Sequence, residues 1–279
     1  MKFHKYQALR NDYIVVEFDA AQTPSPALVR RICDRHYGLG SDGILMPGHA
    51  PNGDHALRIF NPDGSEAEKS GNGIRIFARY LWDMKRVSDQ PFRLITKGGV
   101  VQCQVQDHGR QIMVDMGKVT FDSAEIPIAG PQREVIDEEL DVAGEKIRFN
   151  GASIGNPHYV IHADATSRAM VERLGPLIER HEKFPNRTNV QFVKIASRRR
   201  IEIEIWERGA GYTFASGSSS CAAAAASVRR GFCDPDLVVA MPGGELSISV
   251  STAFEVRMTG PAAKVAEGVL SPELIRAAA

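Results

Sequence analysis

The sequence has no run of apolar residues approaching the roughly eighteen that a membrane-crossing helix needs, which sets aside a helical membrane protein. Cysteine is scarce: Cys33, Cys103, Cys221 and Cys233 lie far apart and form no Cys-x-x-Cys pair. That argues against a structural zinc site or a disulfide framework and suits a reducing compartment. Met1-Lys2-Phe3-His4-Lys5-Tyr6 has no apolar core of the kind a secretory signal carries, so a cytoplasmic protein is expected. Neither sign of charge prevails: 34 Lys and Arg balance 34 Asp and Glu, leaving no reason to expect nucleic acid or a membrane surface as partner. The one basic run, Arg198-Arg199-Arg200, stands just before a strand-like stretch and reads as a solvated edge. The 8 histidines form no ligand-spaced cluster such as His-Glu-x-x-His, so no metal is expected, and nothing marks a nicotinamide or pyridoxal cofactor. What is present is an ordinary globular composition, 43% hydrophobic and 24% charged over 279 residues, enough for one large domain or two of usual size.

The chain repeats itself once. With Ser70 laid over Ser216, Arg58-Ile59-Phe60-Asn61 falls on Glu204-Ile205-Trp206-Glu207, and Ser70-Gly71-Asn72-Gly73 on Ser216-Gly217-Ser218-Ser219. Lys97-Gly98-Gly99 lies on Pro242-Gly243-Gly244, and Val114-Asp115-Met116-Gly117 on Arg257-Met258-Thr259-Gly260. Upstream, Asn11-Asp12-Tyr13-Ile14-Val15-Val16 lies on Asn156-Pro157-His158-Tyr159-Val160-Ile161. Blocks in one order at nearly one offset indicate an internal duplication.

Short runs rich in Val, Ile and Phe, bounded by Gly, Pro or Asn, predict strands at Tyr13–Phe18, Val100–Val105, Gln111–Val114, His158–Ile161, Val190–Lys194, Ile201–Trp206 and Leu246–Val250. Helices are predicted at Ala27–Cys33, Gly73–Asp83, Met170–His181 and Ser220–Arg230, the last stopped by Gly231. Residues 119–150, with Pro127, Pro131 and several acidic residues, are expected to join the halves. The expectation is α+β: an N-terminal lobe of residues 1–125, on which the tail 262–279 could pack, and a C-terminal lobe of 126–279. Each lobe would be a mostly antiparallel sheet around one central helix.

The matched helix starts carry the chemistry. A helix begins with unpaired backbone N–H groups and a partial positive charge, so it attracts an anion without a cationic side chain, and neighbouring glycines let a ligand approach closely. Ser70 and Ser216 occupy N-cap-like positions. If the halves pack about a pseudo-two-fold axis, both starts face one cleft and could hold a carboxylate from two sides. A serine before a glycine is by itself only a cap. Gly71-Asn72-Gly73 alone is no nucleotide loop, because the third glycine and the later acidic residue are missing or misplaced.

Several segments resemble those of diaminopimelate epimerases, in the same order and over nearly the whole chain. They are Ala8-Leu9-Arg10-Asn11-Asp12-Tyr13, Tyr37-Gly38-Leu39-Gly40-Ser41-Asp42-Gly43, Asn61-Pro62-Asp63-Gly64-Ser65-Glu66, Ser70-Gly71-Asn72-Gly73-Ile74-Arg75, Gly155-Asn156-Pro157-His158, Thr188-Asn189-Val190 and Glu207-Arg208-Gly209-Ala210-Gly211. The resemblance implies a fold of two pseudo-symmetric lobes and a cofactor-independent isomerase acting at the α-carbon of an amino acid, diaminopimelate or a related compound. It also implies a small-molecule partner and a homodimer. Asn11, Asn61, Asn156, Asn189, Glu207 and Arg208 would recognise amino and carboxylate groups. Gly71 and Asn72, with Gly217 and Ser218, would offer backbone N–H groups to the carboxylate beside the reacting carbon. Asparagine suits such work, being both donor and acceptor with no charge to desolvate. Apart from the resemblance, Asn61 and Asn156, each followed by proline, read as plain turn residues.

In that family two cysteines flank the α-carbon as base and acid, and this chain has Ser70 and Ser216 at those positions. A helix start can lower a thiol from about 8.5 to roughly 4–7, whereas a serine hydroxyl ionises far above neutral pH. Four accounts follow: a diverged isomerase or lyase whose base is Asp63, Glu66, Glu207 or His158; a slow Ser70/Ser216 acid–base pair; an amino-acid-binding protein without turnover; or serines engineered to trap a ligand. Lys69, Tyr212 and Ser218-Ser219-Ser220 also differ from the usual motif, which speaks against the last. Tyr212 would either reshape the pocket or simply pack against its wall, and Cys221, more than a turn into its helix, is expected to be buried.

Overall fold

Two stretches show how sequence dictates the sheet. In Gly99–Gln106, Val101, Cys103 and Val105 turn inward while Gln102 and Gln104 do not; in Gly244–Val250, Leu246, Ile248 and Val250 turn inward while Glu245, Ser247 and Ser249 do not. Alternation of period two is the pattern of a strand with one buried face.

The computed structural model describes residues 1–18, 23–50 and 54–276. They fall into two units, Met1–Asp115 with Gly260–Ala279, and Met116–Thr259; residues 277–279 of the tail lie outside the described residues. The first half of the chain runs β1 (Lys2–Ala8), β2 (Asn11–Val16), α1 (Pro26–Cys33), β3 (Ile44–Gly48), β4 (His55–Phe60), β5 (Glu66–Ala67), α2 (Gly71–Asp83), β6 (Phe92–Thr96), β7 (Gly99–Gln106) and β8 (Gln111–Lys118). The second runs β9 (Glu138–Val142), β10 (Glu145–Ser153), β11 (Pro157–His162), α3 (Arg168–Glu179), β12 (Asn189–Ser197), β13 (Arg200–Glu207), β14 (Gly211–Thr213), α4 (Gly217–Arg229), β15 (Asp236–Met241), β16 (Gly244–Val250) and β17 (Glu255–Pro261). The chain ends with β18 (Ala263–Val269) and α5 (Pro272–Arg276).

The duplication is written in the pairing. In the first unit β1–β2 is antiparallel, β2–β3 parallel, β3–β4 antiparallel and β4–β6 parallel, with β5 a short hairpin on β4 and β6–β7–β8 antiparallel. In the second, β10–β11, β11–β12, β12–β13, β13–β15 and β15–β16–β17 repeat that order of directions, with β14 on β13. One further antiparallel strand is added at the equivalent edge of each: β18 on β1, and β9 on β10. The parallel joints occur where the chain leaves the sheet through a helix, since parallel neighbours need a crossover.

Each unit wraps its sheet around one central helix. α2 packs on β1, β2, β4 and β7, and α4 on β10, β11, β12, β13, β15 and β16. The run Ala222–Ala226 is fully buried, and its small side chains let the strands close tightly on α4. Cys221 is buried as expected. α1 covers the first sheet with Val29 and Ile32, and α3 covers the second with Val171, Leu174 and Ile178 over Tyr159, Phe149 and Phe184.

Three sequence expectations need amending. Residues 138–150 are not a join: they form β9 and the body of β10, with Leu140 and Val142 buried among acidic neighbours that hide the alternation. α2 and α4 begin at Gly71 and Gly217, earlier than predicted, because glycine and serine are weak helix formers although they suit a first turn. Met170–His181 ends earlier, at Glu179. Arg198 and Arg199 pair with Asp234, and Arg200 with Glu245, a solvated edge with its own counter-charges.

α3 approaches β13 so closely that Gly175 has no room for a side chain: a Cβ there would sit 2.6 Å from the Trp206 ring. Gly175→Ala is therefore expected to destabilise the protein by about 1–3 kcal/mol despite alanine's better helix propensity, read as a lower urea midpoint.

Candidate active site

In the first unit the candidate residues form one polar chain at the start of α2. Ser70 is the N-cap, extended in backbone, and its Oγ accepts the Gly73 N–H at 3.1 Å. The Tyr13 hydroxyl lies 3.4 Å from the same oxygen. Buried Arg75 donates to Asn72 Oδ1 at 2.8 Å, Asn72 Nδ2 to Asn11 Oδ1 at 3.2 Å, and Asn11 Nδ2 to Asp42 Oδ2 at 2.8 Å. Each bond fixes which end of the next amide points where. Behind them, Arg35 bridges Asp42 and Asp12, and Lys5 pairs with Asp12 at 2.9 Å. Desolvation would raise the Asp12 carboxyl, but Arg35 and Lys5 outweigh it and hold it below the usual carboxylate range. Asn61 stands apart from this chain. Its N–H donates to Ser65 O at 2.8 Å, its Nδ2 to Ser65 Oγ at 3.0 Å, and its own carbonyl accepts from Gly64 N, so it closes a turn.

In the second unit Ser216 is the N-cap of α4, also extended, but makes no side-chain capping bond. Gly217 and Ser218 open the helix. The turn after β13 carries Glu207 and Arg208. Asn189 Oδ1 accepts the Arg208 N–H at 3.0 Å while Asn189 Nδ2 donates to Pro157 O at 2.8 Å, so this asparagine ties β11 to the turn. The exposed Arg208 guanidinium donates to Asn186 O at 3.0 Å. Asn156 Oδ1 faces His158 Nε2 at 3.1 Å. Tyr212 donates to Glu204 at 2.7 Å, lies under the Arg168 guanidinium and packs against the second core.

The ionisable groups differ sharply. Desolvation raises the Glu207 carboxyl above the ordinary carboxylate range, with the Ser216 hydroxyl pulling it partly back. Asp63 is held low by Ser65, and Glu66 by Arg58, so both are weak bases already spoken for. His158 is fully buried, and desolvation pushes it down to about 3, with a hydrogen bond to Gln191 pulling partly the other way. Among these four, Glu207 is the group whose surroundings make it a stronger base. Among the described residues no group of three or more His, Cys, Asp or Glu side chains is placed to hold a metal ion, and no helix is long and apolar enough to cross a membrane.

A second imidazole, half-buried, gives a pH test. His162 Nε2 is 3.0 Å from Ser227 Oγ, whose own proton goes to Ala223 O, and its Nδ1 faces Asn150 Nδ2, so the ring is neutral and held at both ends. Burial pushes it down to about 4. The unfolded chain thus binds more protons between pH 6.5 and about 4, and stability falls as pH drops through that window. His162→Gln is expected to flatten the fall in urea midpoint between pH 7 and pH 4.

A family model described as diaminopimelate epimerase matches residues 3–121 and 151–265. This chain belongs to the diaminopimelate epimerase family. Relatives named for that activity include "Diaminopimelate epimerase 2" of Nostoc sp., 50% identical over 98% of this chain and 97% of that one. Another is the diaminopimelate epimerase of Stutzerimonas stutzeri, 41% identical over 96% and 98%. Membership makes the chain an isomerase of the epimerase type. Among solved structures, a probable proline racemase from Agrobacterium radiobacter with bound carbonate shares the fold at a TM-score of 0.70 and 15% identity, covering 97% of this chain and 93% of that one. A phenazine biosynthesis protein of Bacillus anthracis does so at 0.66 and 16%, covering 97% and 99%. The family match leaves out 122–150, the stretch holding β9 and the start of β10.

Sequence reading missed three supports. Tyr13 and Asp42 sit within segments that carried the resemblance, so a signal was there; Glu179, which accepts the Gly209 N–H, had none, being one acid among several at a helix end.

Proposed function

We propose that this chain is a cofactor-independent epimerase acting at the α-carbon of an amino acid, diaminopimelate or a related compound, with Ser70 and Ser216 where the family's acid–base pair belongs. Asn11, Asn61, Asn156, Asn189, Glu207 and Arg208 would recognise the substrate's polar groups. The N–H groups of Gly71, Asn72, Gly217 and Ser218 would stabilise the enediolate-like charge that develops when the proton leaves. A small amino-acid substrate, a homodimer and a cytoplasmic setting belong to the same reading and rest on the family alone.

The observation that carries the reading is the equivalence of two helix starts, α2 and α4, each with a serine at the N-cap position, in a duplicated fold whose named relatives are diaminopimelate epimerases. A second reading is favoured by the raised Glu207 carboxyl beside Ser216. In it Glu207 is the base and Ser216 passes the proton, which relieves the hydroxyl of an ionisation it cannot make near neutral pH.

The test is incubation with stereoisomers of diaminopimelate in heavy water. Deuterium appearing at the α-carbon together with the inverted isomer supports an epimerase. Binding seen by calorimetry without any exchange would instead make the chain an amino-acid-binding protein.

A further inference from the structure

α3 ends on a buried carboxylate that the chemistry above does not use. Glu179 is 2% exposed. Its Oε2 accepts the Trp206 indole N–H at 2.7 Å, its Oε1 accepts the Gly209 backbone N–H at 3.0 Å, and Arg187 lies 3.6 Å from the same Oε1. The two donors bracket Glu207 and Arg208, one just before them and one just after. The Arg208 N–H goes to Asn189, and the Ala210 N–H closes the turn on Glu207 O at 3.1 Å. Gly209, at φ +79, takes the left-handed conformation that this turn needs. On its other face Trp206 is wedged against Gly175.

The backbone of 207–210 is thus held from two sides by buried acceptors, Asn189 and Glu179. An apolar residue at 179 could still pack on the Trp206 ring. It could not accept the indole and the Gly209 N–H together, and a carboxylate with two oxygens can. Burying an acid at a helix C-terminus is also unfavourable in itself, because the negative end of the helix dipole repels it. A purely structural anchor had cheaper solutions.

We propose that Glu179 is a positioning residue, which fixes the Trp206–Gly209 turn so that the Glu207 carboxyl stays desolvated and within reach of Ser216. This rests on the reading of Glu207 given above for its functional meaning, but not for its measurement. The test is Glu179→Gln in the full chain. The amide keeps one acceptor for Gly209 and turns an N–H₂ toward the Trp206 donor, so that the indole bond is lost at nearly constant volume. The readout is the Glu207 carboxyl titration, followed by carbon NMR of glutamate-labelled protein and assigned by its disappearance in Glu207→Gln.

Because desolvation is the main cause of the raised Glu207 value, loosening the turn should move the titration downward, toward that of an exposed carboxylate. Trp206→Phe removes the indole donor together with part of the ring that packs on Gly175, and should move it the same way, which decides the matter should Glu179→Gln not fold. A folded Glu179→Gln protein with an unmoved Glu207 titration, or an unmoved one in Trp206→Phe, overturns the proposal. Where α-proton exchange is measurable, Glu179→Gln should lower kcat about 10-fold to 10²-fold with KM changed little. Absence of exchange by the unaltered protein would defeat the functional reading while leaving the titration result standing.

Discussion

The Ser70→Cys, Ser216→Cys protein is expected to exchange the α-proton of diaminopimelate about 10²–10⁴-fold faster than the serine protein, the range that a well-matched general base contributes. A hydroxyl at a helix start keeps its proton at neutral pH, whereas a thiol there is lowered toward or below neutrality by the same N–H groups. Both serine positions are N-caps, so each thiol would stand at the positive end of its helix. The stability costs should differ. Ser70 Oγ caps Gly73 N, and losing that bond is worth about 1 kcal/mol; Ser216 makes no such bond, so its replacement should cost little. The measurement is deuterium incorporation by mass spectrometry over a day, with unfolding midpoints of both single variants alongside. An unchanged exchange rate in the folded double variant would mean that the surroundings, not the missing thiols, limit the reaction.

Glu207→Gln should separate function from stability in opposite directions. Exchange is expected to fall on the order of 10²-fold if the carboxylate receives the proton directly or through Ser216. Stability should respond to pH with a definite sign. The folded Glu207 value is raised above the ordinary 4.5, so the stability this group contributes is full below the unfolded value and is lost as pH rises through the folded one. Glutamine, which never ionises, should therefore raise the urea midpoint at pH 8 and leave it unchanged at pH 4. A midpoint equally raised at both values would mean that the gain comes from packing and not from charge.

Much of the architecture could be read from residues alone because the duplicated segments kept their glycines and serines at one spacing. Ser70 and Ser216 do begin equivalent helices, whereas the hydrogen bonds of Asn11, Asn72 and Asn189 within the protein are visible only in the structure. The strands β9 and β10 were illegible for a physical reason: Glu138, Glu139, Asp141, Glu145 and Lys146 lie beside buried Leu140 and Val142, and so many charges in a short strand mask its period. The ranking of possible bases was illegible too. Asp63, Glu66 and Glu207 look alike as letters, and only their partners tell them apart: Ser65 and Arg58 hold the first two low, and burial raises the third. Asn61, followed by proline, already fitted a plain turn, and Ser65 does occupy both its backbone and its side-chain nitrogen.

The duplicated scaffold does not carry duplicated hydroxyls. One of them, at position 70, is bound up in holding its helix together and touches a tyrosine; the other, at position 216, leaves its helix uncapped and is turned to a carboxylate. In the proposed reading a proton leaves one side of a stereocentre and returns on the other, and the two hydroxyls that would serve those tasks have unlike neighbours. The two halves thus repeat one order of strands and helices, while the side chains around the matched serines do not repeat.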